Sequence, residues 1–370
     1  MMEAVVRLSL EPRLQRSRLM RLASPLLAGV LTVILGGILF AALGRDPLES
    51  LYEFFISPIN SLYGVSTWLL KVAPLLLISM GLAIGFRAGV WNIGAEGQFT
   101  LGAICGGGVA LLFQGHGGWW LLPLMTLAGA VGGAFWAAIP AFLKTRLNTN
   151  EILTSLLLVY VAEHLLQYLV HGPWRDPQGY NFPQTVAFDT PATLAPILSG
   201  TLLNVATVAS ILVVPLAWLL MHRMFFGFQV RVSGLSEQAA AYAGYSRSRM
   251  VWITMLLGGG LSGLAGLFEV AGTIGKLQPV ISPGYGFTAI IVAFLGQLEP
   301  VGVLLASLLV GLLYVGGDQI QISLHLPSAV AGVFQGMLLF LVLATDVLIR
   351  YRVRIVRTAP AGRADQPVEG

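Results

Sequence analysis

Cysteine occurs once in this chain, at Cys105, and that scarcity removes two kinds of chemistry at the outset. No disulfide can close within the chain, and no cysteine cluster can hold a metal. Charge is scarce as well: charged residues make up 10% of the 370 positions, far below the roughly 25% of a soluble domain. The five histidines, His116, His164, His171, His222 and His325, show neither HExxH nor another metal spacing. No metal site and no catalytic residue is assigned, so the chain is not expected to be an enzyme. A nucleotide-binding loop is also missing. The nearest string, GTIGKLQP at 272–279, has the wrong spacing and lacks Ser or Thr after Lys276.

What fills the chain instead is apolar. Hydrophobic residues make up 56% of it, and apolar windows recur at 22–43, 61–86, 99–113, 119–143, 151–171, 201–221, 250–271, 286–296, 300–316 and 329–349. Most approach the roughly 20 residues that a helix needs to cross the hydrocarbon. None has the short alternating pattern of a membrane barrel, and a lipid-facing backbone must satisfy its own hydrogen bonds. The expected fold is therefore an all-α polytopic membrane protein with about ten transmembrane helical segments, or eight if 286–316, with its central Gln-Leu-Glu-Pro, forms a re-entrant hairpin.

Lys and Arg resist translocation and collect in cytoplasmic loops. With the N-terminus inside, 17 of the 21 Lys and Arg fall in inner segments, leaving only Arg45, Lys71, Arg175 and Lys276 elsewhere. Both termini are expected to be cytoplasmic, and the net charge of +4 reflects inner-face anchoring to the lipid bilayer rather than affinity for nucleic acid. The first window is longer than a signal-peptide core and suits a retained helix. The layout is a basic N-terminus at 1–21, a transmembrane domain at 22–349 with an outer loop at 172–200 and a cytoplasmic loop at 222–249, and a cytoplasmic tail at 350–370. The prolines and aromatics of the outer loop suggest an ordered cap. The residues after 358 have the composition of a disordered tail. Spans two to five and seven to ten begin on opposite sides, as in an inverted repeat. Gly81/Gly85, Gly102/Gly106, Gly129/Gly133 and Gly259/Gly263 have the GxxxG spacing that lets helices approach closely in lipid.

Two stretches stand out. FRAGVWNIGAEGQ, residues 86–98, interleaves Arg87, Asn92, Glu96 and Gln98 with glycines beside an apolar window. That window is short if it starts at Phe99, about 22 Å of helix. Extending it backwards carries Glu96 and Gln98 into the membrane, where a carboxylate must face a polar cavity or a partner. The other possibility is a polar inner loop in which Asn92 caps the third helix. The second stretch, 232–250, lies in the inner loop: Ser236 is an N-cap, Glu237 suits the positive end of a helix, the alanines at 239–241 favour it, and Gly244 stops it. So short a helix needs a surface to pack on. Small residues such as Ala239 and Ala240 permit docking in a groove with Leu235 and Tyr242 as anchors; the alternative is a helix lying on the membrane.

Together these stretches resemble the permease subunits of bacterial ATP-binding-cassette importers in the ribose, branched-chain amino acid and nucleoside family. The string Asn-Ile-Gly-Ala-Glu-Gly-Gln looks like the nucleoside-type branch, with Trp91 at its aromatic position, and Asn150-Glu151 matches a further part of the pattern. The resemblance covers roughly residues 60–350. It implies import of nucleosides or a related ribose-containing solute across a bacterial plasma membrane, with Asn92, Glu96 and Gln98 beside the translocation path. It also implies that Leu235, Ser236, Glu237, Ala239, Ala240, Tyr242 and Gly244 form a coupling helix. The implied partners are a second permease subunit in a heterodimer, two ATPase domains or subunits holding ATP and Mg, and an extracytoplasmic solute-binding protein. This chain itself would carry no cofactor. The family often has Asn and Pro at the positions of Ser236 and Glu237.

Other solutes, namely simple sugars, branched-chain amino acids and riboflavin-like compounds, stay open, as does an ion-coupled secondary transporter. In that reading Glu163, His164 and Glu269 would bind protons or a coupling ion. The plainer expectations are a helix-packing pair for Glu163 and His164, a water-facing outer position for Glu269, and a snorkelling Lys71 without a transport role.

Overall fold

The computed structural model describes residues 5–12, 18–327 and 329–358. Among them are thirteen α-helices: α1 Arg18–Ala42, α2 Pro47–Phe55, α3 Leu62–Arg87, α4 Ala95–Leu112, α5 Leu121–Leu147, α6 Glu151–His171, α7 Val205–His222, α8 Phe225–Leu235, α9 Glu237–Tyr242, α10 Arg247–Glu269, α11 Tyr285–Leu295, α12 Pro300–Ser323 and α13 Ala329–Arg350. Each of the ten apolar windows overlaps one of these helices. Six of them, α3, α5, α6, α7, α12 and α10 with its π-helical end Val270–Ile274, are long and apolar enough to cross a membrane.

The chain divides into two units, Met1–Leu51 with Gly332–Gly370, and Tyr52–Ala331. In the first, the all-helical expectation meets an addition outside the membrane segments: β1 Val5–Pro12 pairs antiparallel with β2 Tyr351–Thr358, setting Leu8 opposite Ile355 and Glu11 opposite Arg352. The first five residues of β2, YRVRI, alternate charged with apolar or aromatic side chains, the period of a strand and not of a helix. The ladder brings the two ends of the chain together. Residues 359–370, expected to form a disordered tail, lie outside the described residues.

In the second unit α3 is the central element. Its sequence is apolar on every side, which is the pattern of a helix surrounded by protein, and its residues from Val72 to Phe86 are buried. Beside it packs α10, which meets α4 and α5 through glycines. A Cβ on Gly102 would overlap the backbone of Gly263, and one on Gly263 would overlap that of Gly129 and Gly133. These are the close backbone approaches that small residues permit in lipid. Gly263→Leu should therefore remove most of the monodisperse protein recovered in mild detergent, because both neighbours are backbone and cannot yield. Gly260→Ala on the same helix meets nothing nearer than 3.7 Å. It should leave recovery unchanged or raise it, since Ala favours helix by about 1 kcal/mol.

Side-chain caps begin the helices where the sequence placed Ser and Asn. Ser61 accepts from Gly64 N at 2.9 Å, Asn150 from Ile152 N at 2.9 Å and Ser236 from Ala239 N at 3.2 Å. Asn150-Glu151 has a structural role: behind the capping Asn150, Glu151 is buried and takes Lys144 Nζ at 2.8 Å, closing the α5–α6 turn. The loop 172–200 is ordered, as expected. Thr185 N donates to Leu277 O at 3.0 Å, Phe188 N to Gly275 O at 2.8 Å, and Asp189 accepts from Gly115 N at 2.6 Å.

Candidate functional site

Between α3 and α4 the chain leaves helical conformation for residues 88–94, turning at Gly89 with φ +74°. Asn92, Glu96 and Gln98 are all buried, at 4%, 4% and 1% exposure. The stretch is thus enclosed by protein, and it does not form a solvated loop. Asn92 and Gln98 satisfy each other: Asn92 Nδ2 donates to Gln98 Oε1 at 2.9 Å and Gln98 Nε2 to Asn92 Oδ1 at 3.0 Å. Asn92 Oδ1 also accepts from Gly94 N at 3.0 Å, and Ile93 N donates to Ser155 Oγ at 3.1 Å. With their amides spent on one another, these two residues clamp the broken segment at the start of α4.

Glu96 is differently placed. It stands in the first turn of α4, and its Oε2 accepts at 2.5 Å from Gly286 N in the first turn of α11. Two helix N-termini converge on one carboxylate, and each favours a negative charge there through its unpaired N–H groups. Gly286 is needed for this approach, because a Cβ there would overlap the Glu96 backbone.

Beside Glu96 lies a cavity of about 170 Å³ lined by Glu96 and Thr100 from α4, Glu163, Leu166 and Gln167 from α6, and Pro279, Val280, Ile281 and Ser282 from the segment leading to α11. The spacings 96/100 and 163/167 each put two polar side chains on one helix face. Ser282 Oγ caps α11, accepting from Gly284 N at 3.0 Å and Tyr285 N at 2.9 Å. Of the three path candidates, then, only Glu96 reaches the cavity. Glu163 joins it there, while His164 is exposed and turned away from it.

The segment beside this cavity is tied at both ends. At one end Glu299, in the α11–α12 turn, pairs with Arg87 at the end of α3 and lies 3.3 Å from His222 Nε2 at the end of α7. At the other, Leu277 is held by Thr185 of the ordered loop, its N–H donating to Thr185 Oγ1 at 3.0 Å. The segment 275–299 therefore runs from one face of the bundle to the other, part extended and part the 11-residue α11. α11 alone is about 16 Å long, so the Glu96–Gly286 contact sits on the order of 15 Å from the Arg87–Glu299 pair. α12, with 24 residues, is long and apolar enough to cross a membrane by itself, whereas the 11-residue α11 is a shorter apolar helix.

Glu269 is 8% exposed, which corrects the expectation that it faces water. Lys71 Nζ reaches Asp318 Oδ2 at 3.8 Å, with Asp318 60% exposed. A half-open pair of this kind contributes ~0–1 kcal/mol. Lys71→Gln is accordingly expected to change solute uptake by less than about twofold at equal protein abundance, measured in whole cells.

On the other loop, α9 follows α8 and rests over the 88–90 turn. Leu235 and Tyr242 are 87% and 94% exposed, and Ser236, Glu237, Ala239 and Gly244 are exposed too. Glu237 pairs with Arg247, and Gly244 ends the helix with φ +78°. Ala240, expected on the partner-facing side with Ala239, is instead 5% exposed. It lines a cavity of about 90 Å³ with Ala88, Gly89 and Val90 of the chain's own turn. A helix of six residues has one side to rest on, and Ala240 is on it.

The family model described as branched-chain amino acid transport system / permease component matches residues 64–343. Over 366 residues, 95% of this chain and 94% of the relative, the sequence is 36% identical to the glucose ABC transporter permease protein TsgB13 of Haloferax volcanii. It is 28% identical over 338 residues to the guanosine ABC transporter permease protein NupP of Bacillus subtilis, covering 90% and 96% of the two chains. It is 29% identical over 303 residues to the nucleoside ABC transporter permease protein NupB of Lactococcus lactis, covering 79% and 82%. The Bacillus and Lactococcus relatives each have a second permease protein that also matches this chain.

Proposed function

The chain belongs to the branched-chain amino acid transport system / permease component family, and from that membership we propose that it is a membrane subunit of an importer for nucleosides or a related ribose-containing solute. It is a multi-pass ABC transporter permease and not an enzyme; ATP hydrolysis belongs to a partner. The observation that carries the solute reading is the cavity at Glu96 and Glu163. Carboxylates, an amide and hydroxyls there offer weak, exchangeable hydrogen bonds to a hydroxyl-rich molecule, and a path must release what it admits. Asn92 and Gln98 act in this reading by positioning Glu96. A hexose is the second reading, favoured by the 36% identity to a glucose permease.

The assembly we propose pairs this chain with a second, different permease, two ATPase domains and an extracytoplasmic binding protein. Two distinct permeases in each of two relatives' organisms support the pairing. Both termini lie in the cytoplasm with ten crossings, the extended-plus-α11 segment counting as one; the β1–β2 ladder supports both ends being on one side. The exposed face of α9 docks on the ATPase.

The test is uptake of labelled guanosine into proteoliposomes holding the assembled complex, with ATP inside or outside and with ion gradients collapsed by ionophores. Uptake should require ATP on the side of α9 and survive the ionophores. Loss of uptake on gradient collapse, with ATP present, would place the chain among ion-coupled carriers. Displacement of guanosine by glucose, and not by other nucleosides, would select the hexose reading.

A further inference from the structure

α8 turns an apolar stripe outwards. Only Arg223 and Met224 separate it from α7, and two glycines press it against the bundle. A Cβ on Gly227 would overlap the backbone of Met221 at the end of α7, and one on Gly234 that of Arg87 at the end of α3. Gly227 and Val230 are buried on that side. Phe225, Phe228, Val232 and Leu235 follow one another at helical spacing on the opposite side, where Phe225 is 65% and Phe228 47% exposed. The two rings lie 6.2 Å apart between centroids, and both stand edge-on to Tyr245. Their positions are thus set before anything covers them.

Two observations say what covers the Phe225 end. The first is continuity: Met224 joins the rings to Leu219, Leu216 and Leu212, an exposed apolar face of α7. α7 is long and apolar enough to cross a membrane, and the medium meeting such a face is lipid. The second is charge. Arg223 stands one turn beyond Leu219 on that face, and Arg231 one turn beyond Phe228; both are exposed. Among the described residues neither has a carboxylate within ion-pair distance. Arg223 is held over the ring of Trp218, 5.7 Å from its centroid, by cation–π attraction, and Trp is a residue favoured at the membrane–water boundary.

We propose that α8 is an anchor lying in the membrane surface on the side of α9, with Phe225 and Phe228 among the acyl chains and Arg223 and Arg231 on the phosphates of anionic phospholipids. A groove in a partner protein would suit the rings alone. Unpaired guanidinium groups beside them call for anions at the edge of an apolar medium, and a phospholipid leaflet has that order of layers. Leu235, at the far end of the stripe and about 15 Å away, is left to the docking surface of α9. Held in this way, α8 gives α9 a fixed footing against the membrane.

Photo-crosslinking of the assembled complex tests this, with p-benzoylphenylalanine in place of Phe228 and nanodiscs made of phosphatidylglycerol and phosphatidylcholine in equal amounts. The expected product on irradiation is permease joined to phospholipid, identified by mass spectrometry. Phosphatidylglycerol should exceed phosphatidylcholine about 25-fold, as for two arginines that each favour an anionic surface about fivefold. Arg223→Gln and Arg231→Gln should each lower that preference about fivefold, and Arg231→Lys, which keeps the charge, should retain it. Co-purified ATPase reports that each variant is folded, and the same reporter in place of Phe225 serves if the first is not recovered. An adduct with the ATPase or the second permease overturns the proposal, because the patch is then a subunit contact. So does the absence of a lipid adduct, or equal capture of the two lipids.

Discussion

Glu96→Leu is expected to cut solute uptake about tenfold or more while leaving membrane insertion and ATPase association near the wild-type level. The substitution does two things at one place. It removes the acceptor of Gly286 N, and a buried donor left unpaired costs ~1–3 kcal/mol, where each 1.4 kcal/mol is about tenfold in an equilibrium. It also replaces a polar wall of the cavity with an apolar one. Glu96→Gln separates the two effects, since its Oε1 can still accept from Gly286. If Glu96 only pins α11, Gln restores full uptake; if the carboxylate serves the passing solute, Gln stays impaired. Glu163→Leu provides the converse, because Glu163 lines the cavity without holding a helix end. Uptake normalised to protein abundance is the measurement, and full transport by both Glu96→Leu and Glu163→Leu would remove this cavity from the path.

How far the sequence foretold this site depends on distance along the chain. The windows were legible because a helix in lipid writes its length as an apolar run, and α9 was legible because Ser236, the alanines and Gly244 are local signals. Burial of residues 86–98 could be argued from the short window that follows. The division of labour within them could not. Asn92 and Gln98 bond across a break whose geometry no periodicity encodes, and Glu96 meets Gly286 at a separation of 190 positions. Even so, Thr100 and Gln167, each four residues beyond a glutamate, were a readable sign that both carboxylates sit on polar helix faces. The strand β2 was readable too, in the alternation of YRVRI at 351–355.

The inward turn of Ala240 changes what tests the coupling helix. A Trp at Ala240 would strike the chain's own 88–90 turn, lowering the yield of folded protein whatever α9 binds. In the proposed assembly the docking face is the exposed one, carrying Leu235, Ala239 and Tyr242. Tyr242 is an exposed aromatic on a short, capped helix, the type of residue that carries a large share of binding energy when a partner encloses it. Tyr242→Ala should therefore weaken ATPase binding by about 30-fold, corresponding to a hot-spot loss of ~2 kcal/mol, and Ala239→Trp should abolish co-purification without loss of folded permease. Both are measured by pull-down of the ATPase from solubilised membranes and by solute-stimulated ATP hydrolysis in vesicles. Because α9 sits over the turn that leads through the Asn92–Gln98 clamp to Glu96, loss of docking should also silence uptake. Normal ATPase binding in both variants would leave α9 as a membrane-surface helix, where Trp is accepted at little cost.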